Sequence, residues 1–297
     1  KMELQQLRHF LAVAETLHFG RAAEQLSMTQ PPLSQSIIAL EQEIGAPLFT
    51  RSKRRVALTP LGRQWLEHVR PAVDAIAALP DIARRLRAGT LGRVALSFVS
   101  TADYSVLPRL VRDYSTLHPD VEISLVEATS DVQIAALIEG KIDAGILIPT
   151  GPTLPPALDY VPLLKEPLIA AIPESWIGDG RVIIEDDRIA GEAWMALPLI
   201  IFPSRVSPYF HDLVVDFYRS RGHEPLVRQE AIQMQTIVSL VSAGIGMALV
   251  PASMRRLART GVRYVALAIK SPMLETGLAW LRSHQSPMLR ALISAAS

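Results

Sequence analysis

The sequence predicts an α/β protein that opens with a helix-rich winged helix-turn-helix and continues into a doubly wound α/β region. Three observations carry that expectation. Helical apolar periodicity fills residues 3–45, broken by a short polar turn and a pair of prolines. A basic, strand-like stretch and a long amphipathic stripe follow, to about residue 88. From residue 93 onward, strand-like and helical patterns alternate.

In the first section Leu4, Leu7, Phe10, Leu11 and Ala14 recur at helical spacing, as do Phe19, Ala22, Ala23 and Leu26. Leu33, Ile37, Leu40 and Ile44 repeat the pattern. Ser27-Met28-Thr29-Gln30 separates the second and third runs, and Pro31-Pro32 opens the third. Proline is accepted in a helix's first turn because its missing N–H has no intrahelical partner there. A short helix, a tight turn and a proline-started helix make a helix-turn-helix. Ala22 and Ala23 are small enough to let two helix axes cross closely.

Residues 48–62, LFTRSKRRVALTPLG, alternate around Val56 and Leu58 as a short β-ribbon with a basic tip, a wing. Thr59-Pro60 then supplies a cap and a first-turn proline for a further helix. That helix runs to about Ala88, with Trp65, Val69, Val73, Ile76, Ala83 and Leu86 along one stripe. A lone amphipathic helix cannot bury its stripe within itself, so a partner from a second copy is implied. Pro71 and Pro80 each delete a backbone hydrogen bond, at about 3 kcal/mol in a straight helix. A bent or two-piece connector, ended by Ala88-Gly89-Thr90-Leu91-Gly92, is expected.

Candidate strands beyond it are 93–99, 121–128, 143–148, 167–172, 198–202, 226–231, 262–268 and 276–281. Helical patterns lie at 104–117, 131–139, 208–222, 233–243 and 286–296. Such alternation predicts mostly parallel sheet covered by helices on both faces. Either one large sheet or two smaller lobes accommodates it, with apolar segments near 161–166 and 265–270 as crossings in the second case.

Composition narrows the function classes. With 297 residues and 49% apolar content, the chain is long enough for two or three cores and is not disordered. The absence of cysteine excludes disulfide scaffolds, thiolate metal sites and cysteine nucleophiles, and fits a reducing cytoplasm. The Lys1-Met2 opening shows no basic stretch followed by an apolar one, so no secretory leader is expected. Apolar stretches such as 237–250 are too short and too rich in Ser and Gly to span a bilayer. A soluble, cytoplasmic protein without a membrane partner is the expectation.

The even balance of 30 Lys+Arg and 29 Asp+Glu hides an asymmetry. Residues 1–88 carry 12 and 8, and the remainder 18 and 21. A basic end of this kind meets polyanions. Arg51, Lys53, Arg54 and Arg55 are bunched at the wing, where a solvated loop is the plain alternative. The proline-started helix exposes Thr29, Gln30, Ser34 and Gln35 at its beginning, while Leu33 and Ile37 face inward. Major-groove reading uses short polar and amide side chains at a helix start, where glutamine pairs with adenine. Arg21 and the basic wing would contact phosphates, which position a protein without reading sequence.

Enzyme chemistry finds little support. The seven histidines (9, 18, 68, 118, 211, 223, 284) form no H-x-x-x-H pair and sit near no carboxylate set suited to zinc. Gly244-Ile245-Gly246 lacks the third glycine of a dinucleotide loop, and no G-x-S-x-G elbow occurs. Glu185-Asp186-Asp187 reads as a solvated turn. No cofactor and no metal are expected.

Residues 19–62, with Ala22-Ala23, Leu26, Gln30-Pro31, Leu33-Ser34, Leu40-Glu41, Leu48-Phe49 and Leu58-Thr59-Pro60-Leu61-Gly62, resemble the winged helix-turn-helix of the LysR-type transcriptional regulators. Leu107-Pro108, His118-Pro119, Gly140-Lys141-Ile142-Asp143-Ala144-Gly145, Val241-Ser242-Ala243-Gly244-Ile245-Gly246 and Val250-Pro251 extend the resemblance over essentially the whole chain. It implies a DNA-binding domain over 1–58, including Pro31 and Pro32 in its reading helix, and a dimerising linker helix over 59–89. It implies an effector-binding domain over 90–297, two-lobed and periplasmic-binding-protein-like. Lobe I would comprise 90–162 and 268–297, and lobe II 163–267. Members are dimers or tetramers that bind promoter DNA, answer to a small effector between the lobes and act on RNA polymerase, often as activators.

Closest in texture are the members governing aromatic catabolism. Their pocket positions fall on Ser100, Thr101, Thr129, Ser130, Phe202, Pro203 and Ser204. Regulators sensing a dicarboxylic ring-cleavage product carry an effector-pairing arginine where this chain has Ile148, which argues against that effector. Arg205 is the nearest substitute cation.

Independently of the resemblance, Ser100-Thr101, Thr129-Ser130 and Ser204 fall at strand-to-helix junctions, where open α/β sheets bind ligands. Ser and Thr there are commonly plain N-caps, as expected for Ser207-Pro208. Three junctions around one cleft, with Arg205 near, favour an acidic or hydrogen-bonding effector. Two rival readings are a transporter's solute-binding protein and an enzyme with a borrowed DNA-binding domain. The N-terminal section speaks against the first and the lack of catalytic motifs against the second.

Overall fold

The computed structural model describes residues 2–52, 55–151 and 154–297. Lys53 and Arg54 of the basic tip lie outside the described residues. The chain forms two compact units, residues 1–84 and 85–297.

The first unit contains α1 (Leu4–Thr16), α2 (Phe19–Gln25), α3 (Gln30–Ile44), β1 (Phe49–Ser52), β2 (Arg55–Leu58) and most of α4 (Pro60–Ala88). Phe10, Val13, Ala22, Leu33, Ile37 and Leu40 are fully buried together. The Phe10 ring lies 4.8 Å from that of Trp65 and 5.5 Å from that of Phe49, joining α1 to α4 and the ribbon. The α2–α3 turn closes tightly, with Ser27 at φ 54° and the Met28 N–H donating to the Ala23 carbonyl at 2.9 Å.

β1 and β2 pair antiparallel, Phe49 opposite Leu58. Glu41 of α3 anchors this wing: one oxygen accepts the N–H groups of Leu48 (2.8 Å) and Phe49 (3.1 Å), and the other pairs with Arg51 at 2.9 Å. Thr59 caps α4 as expected, its hydroxyl oxygen accepting the Gly62 N–H at 2.9 Å. Gly62 permits the approach, because a Cβ there would stand 2.2 Å from the Leu48 carbonyl oxygen.

Of the two forms expected for the connector, bent or two-piece, the second does not occur. α4 is one helix of 29 residues through both Pro71 and Pro80, not two pieces. Both prolines are exposed, as are Glu67 and Ile76, whose carbonyls lose their helical donors. Water takes up those carbonyls, so the helix loses two hydrogen bonds without having to end.

The second unit continues with β3 (Gly92–Phe98), a 3₁₀ turn (Ser100–Tyr104), α5 (Leu107–Leu117), β4 (Val121–Glu127), α6 (Ser130–Ile138) and β5 (Ala144–Leu147). Next come β6 (Leu158–Pro173), α7 (Glu174–Gly178), β7 (Ile184–Glu185), β8 (Arg188–Ile189), β9 (Pro198–Ile201), α8 (Pro208–Arg219), β10 (Leu226–Glu230) and α9 (Met234–Ser242). The last elements are β11 (Ala248–Pro251), β12 (Val262–Leu267), β13 (Met273–Leu281) and α10 (Pro287–Ala296). The main sheet runs β4-β3-β5-β13-β6-β12-β8-β7, with β11 also on β6.

This sheet is mixed rather than mostly parallel. β3 pairs parallel with β4 and β5, but β13 runs antiparallel to β5 and β6. The reason lies in β6. Its first part, Leu158 to Pro167, pairs with β13, and its second part, Leu168 to Pro173, pairs with β11 and β12, so one strand passes from the first lobe into the second. β9 and β10 form a parallel pair, tied to the main sheet by a bridge from Leu199 to Met247.

Two sequence features find their explanation here. Asp143 holds β3, its carboxylate accepting the Ala95 N–H at 2.7 Å, while Gly145 leaves room for the buried Gln133 amide, which a Cβ would meet at 2.4 Å. Asp186 and Asp187 form the two-residue turn between β7 and β8, both at positive φ, a turn geometry that aspartate tolerates.

Candidate functional site

In the N-terminal unit the start of α3 stands open. Thr29, Gln30, Pro31, Pro32 and Gln35 are exposed and Ser34 is half-buried, whereas Leu33 and Ile37 are fully buried beneath them. No side chain caps α3, and because Pro31 and Pro32 carry no N–H, Gln30 supplies the N–H of this first turn at the positive end of the helix dipole. α3 is fastened by His9, whose Nδ1 lies 2.7 Å from the Ser36 hydroxyl; burial lowers this imidazole's pKa.

The cations around this helix divide. Arg21 is exposed at α2 and reaches the Thr16 carbonyl at 3.3 Å. Arg51 is occupied within the fold: it pairs with Glu41 and lies over the Phe19 ring at 5.0 Å. Arg55 is exposed at the start of β2.

In the second unit a cleft of about 290 Å³ opens where strands end. Val99 follows β3, Ala128 to Ser130 follow β4, Ile148 follows β5, Phe202 follows β9, and Ile232 and Gln233 follow β10; all line it. Carboxyl ends of parallel strands thus converge on one space, the ligand position of open α/β sheets. Of the sequence-predicted residues, Ser100, Thr101, Thr129, Ser130, Ile148 and Phe202 meet here.

Ser204 and Arg205 do not. Both sit exposed on the turn before α8, and the neighbouring Val206 and Ser207 line the cleft instead. The turn presents its second half inward, so the expected cation is absent. Ser207 holds the N-cap position of α8 but makes no capping hydrogen bond.

The floor is a set of hydroxyls with protons to give. The Ser100 oxygen accepts the Met234 N–H at 3.0 Å, and the Ser130 oxygen accepts the Ile148 N–H at 3.1 Å. Each keeps its hydroxyl proton available for another acceptor. The Thr101 hydroxyl is buried with no partner among the described residues. α6, α8 and α9 all begin at the cleft; the N-cap residues of α6 and α8 make no capping hydrogen bond, and the first N–H of α9 is the one that Ser100 accepts.

Glu127, at the mouth, was not foreseen. It is exposed, accepts a hydrogen bond from the Gln233 amide at 3.0 Å, and its pKa is raised by partial burial and by the nearby Asp103 carboxylate. Its position at the last residue of β4, beside Thr129-Ser130, was the available clue. The described residues lining the cleft include no Lys, Arg or His. No group of metal-ligating side chains occurs among the described residues, and no described helix is long and apolar enough to cross a membrane.

Both units match known families. Residues 4–63 match the bacterial regulatory helix-turn-helix protein family, lysR type, and residues 87–297 match the LysR substrate binding domain. The chain is 58% identical over 293 residues to the transcriptional regulator IlvR of Caulobacter vibrioides, covering 98% of this chain and 96% of that protein. It is 32% identical over 297 residues to the regulator CatR of Pseudomonas putida, covering 99% and 98%. A crystal structure of full-length CbnR with its target DNA superposes with a TM-score of 0.77 at 26% identity, covering 99% of this chain and 98% of that one. These relatives are regulators rather than enzymes, and the chain belongs to the LysR family of transcriptional regulators.

Proposed function

We propose that this regulator reads promoter DNA with the open start of α3 and is controlled by a small effector held in the cleft of the second unit. The observation that carries the DNA half is the exposure of Gln30 and Gln35 above the buried Leu33 and Ile37 at an uncapped helix start. Gln30, Ser34 and Gln35 read base edges, and Thr29, Pro31 and Pro32 set the helix against the groove. Arg21, Arg55, Lys53 and Arg54 contact phosphates. Arg51 contributes mainly by holding the wing against Glu41.

The protein works as a homo-oligomer, a dimer or tetramer. Beyond its buried Val69 and Val73, α4 carries exposed Ile76, Leu79 and Leu86, an apolar stripe suited to a second copy. The linker, 59–89, joins the DNA-binding domain, 1–58, to the effector domain, 90–297, whose first lobe extends to Pro167, where β6 leaves β13, rather than to 162. RNA polymerase is the partner on which the bound regulator acts.

An effector shifts the regulator only if it binds two subunit arrangements unequally. The test is a gel shift on the DNA upstream of the protein's own gene. Retention at least about tenfold tighter than on scrambled DNA is expected, whereas equal affinity for both overturns the reading.

A further inference from the structure

The cleft has two chemical ends, and taking it as the effector site lets them name the ligand. One end is built for an anion. Ser100 and Ser130 have their oxygens engaged by backbone N–H groups and their hydroxyl protons free, and Thr101 has a buried hydroxyl without a partner. α6, α8 and α9 begin here and add the positive ends of their dipoles. The other end is built for a cation. Glu127 stands at the mouth with Gln233 bonded to it, and Asp103 adds negative potential there.

A purely anionic effector would meet no compensating cation among the described lining residues and would face Glu127. A purely cationic one would leave the hydroxyls and helix starts unused. A volume of about 290 Å³ lies at the low end of the range for small-molecule sites, so the ligand is small. Val99, Ile148, Phe202 and Val206 supply an apolar wall.

We propose that the effector is a small zwitterion, an α-amino acid with a compact apolar side chain, its carboxylate at the hydroxyl floor and helix starts and its ammonium on Glu127. The proposal rests on the cleft being the effector site. Net neutrality satisfies both ends at once, and the side chain lies against the apolar wall.

The test is calorimetry on the full-length protein with each protein L-amino acid, the matching 2-hydroxy acids, and benzoate. At least one aliphatic amino acid should bind, about tenfold or more tighter than its 2-hydroxy counterpart and tighter than benzoate. Glu127→Gln, and Glu127→Ala as a second variant at this exposed position, should weaken that amino acid about tenfold. Thr101→Val, which keeps the side-chain shape and breaks no hydrogen bond within the described protein, should weaken it severalfold.

Binding of no amino acid, equal binding of the hydroxy acid, or unchanged affinity in the Glu127 variants or in Thr101→Val overturns the proposal. The gel shift on the same preparations separates the two failures. Selective retention of upstream DNA with benzoate or a hydroxy acid as ligand sinks only the zwitterion, whereas loss of DNA selectivity sinks the regulator reading itself.

Discussion

At the level of single residues, the same side-chain chemistry serves structure in one place and recognition in another, and neighbours decide which. Arg51 lies in the basic cluster of the wing, yet Glu41 and the Phe19 ring hold it. Arg205 lies beside the cleft in sequence but faces away from it. Neither outcome was legible in the sequence, because a turn's direction depends on dihedral angles that no periodicity encodes. The hydroxyls at Ser100, Thr101, Thr129 and Ser130 were legible, since strand-to-helix junctions place them.

Glu127 yields a prediction of its own. Partial burial and Asp103 raise its pKa above the ordinary glutamate value, so the folded state binds its proton more tightly than the unfolded chain does. Glu127 therefore penalises stability while it is charged, and the penalty vanishes as pH falls through the raised pKa. Without ligand, Glu127→Gln should melt higher than the parent at pH about 7–8, with the gap closing toward pH about 4. Thermal melts of both proteins across that range check it, and a gap that widens on acidification contradicts it.

At the level of elements, apolar spacing located α1, α2, α3, α5, α8 and α10 well because each has one buried face. It missed the first half of β6, where Pro162, Lys165 and Glu166 mask a strand paired with β13. It left a bend and a break open at the prolines of α4, and the break does not occur. A hydrogen bond lost on an exposed helix face is replaced by water, so Pro71 and Pro80 need not end it. The junction between wing and α4 is far less tolerant. Gly62→Ala would push a Cβ to 2.2 Å from the Leu48 carbonyl oxygen, a backbone atom with little freedom to retreat. A loss of about 1–3 kcal/mol in urea unfolding is expected, and an alanine variant as stable as the parent would show that the wing shifts freely.

For the whole molecule, charge and apolar surface divide the labour. The first 88 residues hold the excess of basic side chains, and the cleft lies in the less basic remainder. Ile76, Leu79 and Leu86 leave the later turns of α4 with an apolar stripe exposed in the single chain. Leu79→Glu should convert the oligomer to smaller species in analytical ultracentrifugation and weaken specific DNA binding, because two half-sites then have to be held independently. An unchanged sedimentation profile would remove α4 from the subunit interface.

The most direct measurement is fluorescence anisotropy of the full-length protein on its upstream DNA, comparing the parent with Gln30→Ala/Gln35→Ala. Each glutamine paired with a base contributes about 1–3 kcal/mol of discrimination. The double variant should therefore bind upstream and scrambled DNA almost alike, with the slope of affinity against salt concentration preserved. If it discriminates the two DNAs as well as the parent does, the start of α3 is not what reads the promoter.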